Sequence, residues 1–369
     1  MEANIGALAI AQRMVAERLC GPVVDTHLNE SQDGRVMLQH RTRSLPLALD
    51  EAIRAELFED LEEGVEVFLF GAGDPRVLVE LLEAGYSVTL WDRDLALIRH
   101  VFYAVEVHEA LARGQLSVLM GVDFLDVLKR RDELQLVAHP LLFALYASEA
   151  LLWEFGAPSK MVCLCTGGLF IDDVAEAIRD LGFGVLPLEL RRVGVAEIDH
   201  TVRRAAPELI LGINYVKGIE ALGARHGVPV ACWEIDPTTD RILLAQGTTE
   251  WLHLFTYRES QVEAFGAAGF ERVTYLPLAS NVSRRKPRIP LGEERERYGV
   301  SVAHVGSSMD AQARHFEASY LKAYRAWRGG TPEAESEGRV IMDEILAAQR
   351  AEPCRYMVDT LMRERLGGF

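Results

Sequence analysis

Two sets of residues in this chain combine side-chain type and spacing in a way that can do chemistry. The first is Gly71-Ala-Gly73, set between two apolar runs, with Asp92 and Asp94 at the end of the second run. A glycine-rich turn between a strand and a helix brings backbone N–H groups against a ligand, and an acid at the tip of the next strand can take the hydroxyls of a ribose. Gly71, Gly73 and Asp92 are therefore candidate cofactor-binding residues. The dinucleotide fingerprint needs a third glycine where Arg76 stands, so ordinary NAD binding is disfavoured. The same glycines also suit a plain tight turn, and the same acids also suit helix caps. The second set sits at the ends of later apolar runs: Asn214 after Leu209-Ile-Leu-Gly-Ile213, Glu234 and Asp236 after Gly227-Val-Pro-Val-Ala-Cys-Trp233, and His304, Gly306 and Ser307 in Val302-Ala-His-Val-Gly-Ser307. Short apolar runs with polar or glycine tips, separated by helix-like spacers, form the pattern of buried parallel strands whose C-terminal ends carry a site.

Periodicity places the elements that must position these residues. Residues 3–19 read as one amphipathic helix, 21–46 as a small hairpin turning at Asp33-Gly34, and 47–61 as a second helix. A first α/β series follows, with strands at 65–70, 86–91, 116–120 and 134–138 and helices at 76–84, 95–113 and 124–129. The pattern breaks at Phe155-Gly-Ala-Pro-Ser159, a domain boundary by composition. A second series has strands at 161–165, 184–188, 209–213, 229–234, 251–256 and 273–278, with helices between them. Three helices, at 309–328, 336–350 and 356–366, follow Val302 to Ser307. Strand and helix alternate throughout, which predicts an α/β protein with two Rossmann-like, doubly wound parallel-sheet domains, an N-terminal helix and hairpin, and a C-terminal helical tail. The domain bounds expected are 1–62, 63–155, 160–299 and 300–369.

Composition narrows the function classes. A chain of 369 residues with 49% apolar residues and a mean hydropathy of +0.05 has the make-up of a globular protein with sizeable cores. The formal net charge of −16 opposes nonspecific binding to nucleic acid or anionic membrane. No stretch approaches the ~18 consecutive apolar residues of a membrane span. Met1-Glu2-Ala3 lacks the basic start of a secretory signal, and the expectation is a cytoplasmic protein. Five cysteines, three of them in strand-like runs, read as reduced core residues. Cys163 and Cys165 share a strand face, but no neighbouring Cys or His completes a zinc set, so no metal site is expected.

Two resemblances bear on function. Phe70-Gly-Ala-Gly-Asp74, then Asp92, then Gly121-Val-Asp123 resembles the S-adenosylmethionine-binding layout of Rossmann-like methyltransferases. A wider resemblance runs from Met161 to about Ser308. Leu181-Gly-Phe-Gly-Val185, Pro207 to Asn214 and Gly227 to Pro237 are similar, in order and spacing, to the CgeB-like bacterial glycosyltransferases. So are Phe255-Thr-Tyr257, Ala268-Gly-Phe270, Tyr275-Leu-Pro-Leu-Ala279 and Val302 to Ser307. The region from about 30 to 150 resembles the N-terminal Rossmann-like domain of such enzymes and of flagellin-glycosylation proteins. Their first turn is usually Gly-x-Gly-x-Gly-Tyr, whereas this chain has Gly71-Ala-Gly-Asp-Pro-Arg76.

The second resemblance implies a GT-B fold and transfer of a sugar from a nucleotide-sugar donor, with no metal or other cofactor required, to an acceptor that a protein can supply. Such catalysis needs a base for the acceptor hydroxyl and dipoles or cations for the departing diphosphate. It makes Asp236 the candidate base, with Glu234 beside it and Asn214 on the neighbouring strand tip, and makes His304, Gly306 and Ser307 the diphosphate cradle. The residues after Gly306 read as helices, too few for a complete donor domain of typical size. The expectation is a truncated donor half: a piece of a longer enzyme, or a shortened member that keeps the acceptor half. Three functions stay open: a glycosyltransferase-like protein, a methyltransferase-like enzyme using the Gly71 turn, and a noncatalytic module that binds a protein partner.

Overall fold

The computed structural model describes all residues except 25, 33–34, 41, 237–244, 246–249, 288, 300–309, 353–356 and 367–369. Where periodicity predicts one N-terminal helix there are two, Glu2–Ala11 and Arg13–Leu19. Gln12 breaks the helix because its side-chain amide does the work of a strand, donating to Val118 O at 3.0 Å and accepting from Val118 N at 2.7 Å. The helix expected over 95–113 likewise divides into Leu95–Ala104 and His108–Ala112. There the Asn4 amide donates to the carbonyls of Phe102 and Val105 and accepts from Val107 N–H, satisfying the groups a helix end leaves orphaned.

Next comes a small antiparallel sheet of β1 (Leu28–Glu30), β2 (Val36–His40) and β3 (Arg43–Pro46), with β2 in the middle. Leu28 faces Leu38, so within the hairpin expected over 21–46 it is Leu28–Glu30 that pairs with β2. Val23 instead bridges to Val193. The Asp33-Gly34 turn lies outside the described residues.

The first parallel sheet contains β4 (Glu66–Phe70), β5 (Val88–Asp92), β6 (Leu116–Met120) and β7 (Leu134–Ala138) in the order β6-β5-β4-β7. The second contains β8 (Met161–Cys165), β9 (Gly184–Leu188), β10 (Leu209–Ile213), β11 (Val230–Glu234), β12 (Leu252–Thr256) and β13 (Val273–Tyr275), ordered β13-β12-β11-β10-β8-β9. All pairings in both sheets are parallel. The near-continuous apolar runs of β4 and β8 follow from this, since an inner strand of a helix-covered sheet is buried on both faces. The winding direction reverses between β4 and β7 in the first sheet and between β8 and β10 in the second. At such a reversal the loops diverge and open a crevice beyond the strand ends.

Aromatic rings fill the first core: Phe70 lies 4.8 Å from Trp91 and 5.1 Å from Phe143, and Trp91 lies 4.8 Å from Phe124. The second sheet has an aliphatic cluster of Val162, Leu164, Ala175, Ile178 and Val185, and elsewhere packs Tyr215 and Phe265 against Phe270. Arg18 joins the two sheets. It pairs bidentately with Glu197 at 2.6 and 2.8 Å, with Asp123 at 2.5 Å, and donates to Met120 O. Burial lowers the Arg18 pKa, but the two carboxylates outweigh it and hold the group above its ordinary value.

The chain divides into two compact units, the first comprising 1–236 and 243–278, with both parallel sheets, and the second 237–242 and 279–369. Within the second, helices Asp310–Trp327, Pro332–Ala351 and Val358–Leu366 pack Tyr320, Leu321, Tyr324, Met342 and Leu366 together. Thr331 caps the middle helix, accepting from Ala334 N–H ahead of a first-turn proline.

Candidate functional site

The Gly71 turn lies at the reversal of the first sheet, between the ends of β4 and β7. His139, just past β7, fills that crevice: a Cβ added to Gly73 would fall 2.5 Å from the His139 ring, so only glycine permits the approach. The His139 Nε2 is 2.8 Å from Leu47 O, and burial lowers the ring's pKa. Asp92 has no exposed surface. Its carboxylate accepts from Ala72 N–H at 2.7 Å, Asp94 N–H at 2.7 Å and the Tyr146 hydroxyl at 2.8 Å. Burial first, then Asp94, push its pKa up to about 7 against those three hydrogen bonds. Asp74 and Asp94 cap the following helices through Arg76 N–H and Ala96 N–H. Asp123, in the Gly121-Val-Asp123 segment, holds Arg18 and lies 3.3 Å from His200.

At the reversal of the second sheet a cavity of about 230 Å³ stays open between the ends of β8 and β10. Thr166, Gly167 and Gly168 line it on the β8 side, Asn214 and Tyr215 on the β10 side, with Asp236 beyond β11 and Arg191 also on its wall. Asn214 organises this end of the sheet. Its φ of +63° puts a non-glycine residue in the left-handed region, where Asn is tolerated better than most. The carboxamide oxygen accepts from Ile235 N–H at 2.9 Å and Asp236 N–H at 3.3 Å, while Nδ2 donates to the Asp236 carboxylate at 2.6 Å. The Asp236 side chain is thus aimed by its neighbour on β10. Glu234, one residue pair inward, is buried and accepts the N–H of Tyr215. Burial raises its pKa and Asp236 adds to the rise, opposed by the Tyr215 N–H. The Tyr215 hydroxyl in turn donates to Glu220 at 2.9 Å, and burial holds its pKa above the ordinary value.

The structure therefore brings Asn214, Glu234 and Asp236 together and places Gly71, Gly73 and Asp92 on the other sheet. His304, Gly306 and Ser307 lie outside the described residues. The Thr166–Gly168 loop and Arg191 are additions that sequence reasoning passed over. The importance of that loop depends on β8 being the strand beside which the winding reverses. Cys163 and Cys165 are buried thiols, each pushed up to about 12 by that burial, and are not nucleophiles near neutrality. Among the described residues no group of three His, Cys, Asp or Glu side chains is placed to hold a metal ion, and no helix is long and apolar enough to cross a membrane.

No protein-family model matches the chain, and no curated protein matches it. One solved structure aligns with it, that of the MAf glycosyltransferase from Magnetospirillum magneticum AMB-1, at 12% sequence identity and a TM-score of 0.29. The alignment covers 78% of this chain and 58% of that one, so the chain spans less than two thirds of that protein's length. A match this distant assigns neither substrate nor residue role.

Proposed function

We propose that the chain is a glycosyltransferase-like protein of the CgeB type, in which the second sheet supplies the acceptor side of the site. The observation that carries it is the Asp236 carboxylate, fixed by Asn214 on the wall of the open cavity at the winding reversal. In the reaction proposed, an acceptor hydroxyl attacks the anomeric carbon of a nucleotide sugar. The new C–O bond forms as the bond to the diphosphate breaks, and Asp236 takes the hydroxyl proton. Glu234 orders the Tyr215 backbone beneath it. Arg191 and the N–H groups of the Thr166–Gly168 loop can meet developing negative charge. The Gly71 turn has no part in this scheme, because its groups are bonded within the protein.

The test is to incubate the purified chain with UDP-, GDP-, dTDP- and CMP-sugars, following melting temperature and nucleotide release. At least one donor should raise the melting temperature and be cleaved or transferred. Asp236→Asn should cut turnover by ~10²–10⁴, the usual contribution of a positioned base. Neither shift nor turnover with any donor, or full turnover in Asp236→Asn, overturns the assignment.

A further inference from the structure

A second cavity, of about 430 Å³, lies beside the C-terminal ends of β5, β8 and β9 within the first unit, and it shares Thr166, Gly167 and Gly168 with the cavity at Asp236. We propose that it binds a neutral, polyhydroxylated ligand, a sugar residue. Its service as the acceptor subsite, delivering a hydroxyl toward Asp236, rests on the transferase function above; the binding itself does not.

Of the five Asp, Glu and Arg residues that line it, Arg93, Asp94, Glu189 and Arg192 are held in ion pairs, and Asp172 is the fifth. Arg192 lies 3.6 Å from Asp94 and 3.4 Å from Glu189, Asp94 lies 2.5 Å from His27, and Arg93 lies 3.3 Å from Glu149. Arg93 is further fixed over the Tyr146 ring at 4.2 Å. A charged ligand has to break one of these pairs to gain any of these four groups as its partner. A hydroxyl does not, because a paired guanidinium keeps spare N–H donors and a paired carboxylate keeps spare lone pairs. Paired guanidinium and carboxylate groups side by side suit ligand groups that both donate and accept. Leu164, Val185 and Pro187 add apolar surface suited to the C–H face of a sugar ring. The volume falls within the ~300–1,000 Å³ of small-molecule sites.

Thr166 supplies an independent observation. Its hydroxyl is buried without a hydrogen-bond partner, although the residue lines both cavities. Rotation about χ1 turns the hydroxyl toward a ligand at the cost of no existing bond. A group left unsatisfied in the empty protein is thereby satisfied in the complex.

The experiment is saturation-transfer NMR on the full chain. Its neutral probes are the methyl glycosides of glucose, galactose, mannose and N-acetylglucosamine, with glucuronate and glucosamine as anionic and cationic comparisons. At least one neutral glycoside should receive saturation, and more strongly than either charged sugar. Arg192→Ala and the isosteric Thr166→Val, each checked for fold by circular dichroism, should each weaken binding at least fivefold. The inference is overturned if all four neutral probes stay silent, if a charged sugar binds best, or if both variants bind as the parent does. No donor is present, so the two assignments fail separately: silence with intact transfer removes this site alone, and binding without transfer removes the transferase function alone.

Discussion

Asn214 offers the sharpest test of how the site is built, because its backbone and its side chain can be perturbed separately. Asn214→Gly keeps the left-handed conformation and removes the carboxamide. The Ile235 N–H, in a residue only 7% exposed, then has no acceptor, and Asp236 loses its donor. A buried amide left unsatisfied costs ~1–3 kcal/mol, and the exposed-side bonds add less because water replaces them. The expected loss for glycine is about 2–3 kcal/mol. Asn214→Ala adds the penalty of a Cβ in the left-handed region, about 1–2 kcal/mol more. Asn214→Asp keeps both backbone acceptances but sets a second carboxylate against Asp236, so it should be less stable than the parent at neutral pH. Urea midpoints give the stabilities, and amide exchange at Ile235 reads the clamp directly, with protection falling in the glycine and alanine variants. Equal stability of the alanine and glycine variants would refute the left-handed backbone. Unchanged Ile235 protection in both would refute the carboxamide clamp.

Four further outcomes follow from the first sheet and its tie to the second. Arg18→Ala strands Glu197 and Asp123 as nearly buried carboxylates and should cost ~3–5 kcal/mol in denaturant unfolding, against little for exposed pairs such as Arg13 with Glu17. Asp92 holds its proton in the folded chain up to about pH 7 but only to 3.8 when unfolded, so its neutral form contributes stability that is full below 3.8 and is lost as pH rises through about 7. The stability advantage of the parent over Asp92→Asn should therefore shrink between pH 5 and 8, by up to about 1.4 kcal/mol per pH unit. Gly73→Ala should push the His139 ring off Leu47 and lower the melting temperature, and calorimetry of the parent with S-adenosylmethionine should show no binding heat, since that ring fills the crevice.

Much of the α/β layering was readable from the residues. Strands such as Met161–Cys165 and Gly184–Leu188 announce themselves as apolar runs bounded by glycine or polar tips, and the three C-terminal helices by their spacing. What periodicity could not carry were the interruptions at Gln12 and near Val105, each compensated by one amide side chain reaching a distant backbone. Local pattern has no means of expressing a partner about a hundred residues away. The same holds for the site. Asn214 and Asp236 stood out as strand tips, but the role of Thr166 depends on strand order, which a linear sequence does not state. Asp92 shows the converse: an acid at a strand tip reads alike whether or not it faces a ligand, and only the fold shows that this one holds the N–H groups of Ala72 and Asp94.

The N-terminal helices have a consequence for how the chain is made. Asn4 finds its partners at Phe102, Val105 and Val107, and Arg18 finds Glu197 only 179 residues later. At ~5–20 residues per second of synthesis, Arg18 waits roughly 10–40 s for that partner to be made. Asn4 and Arg18 are thus locked only after partners far downstream have been made, and the first unit closes back on these two helices instead of growing outward from them.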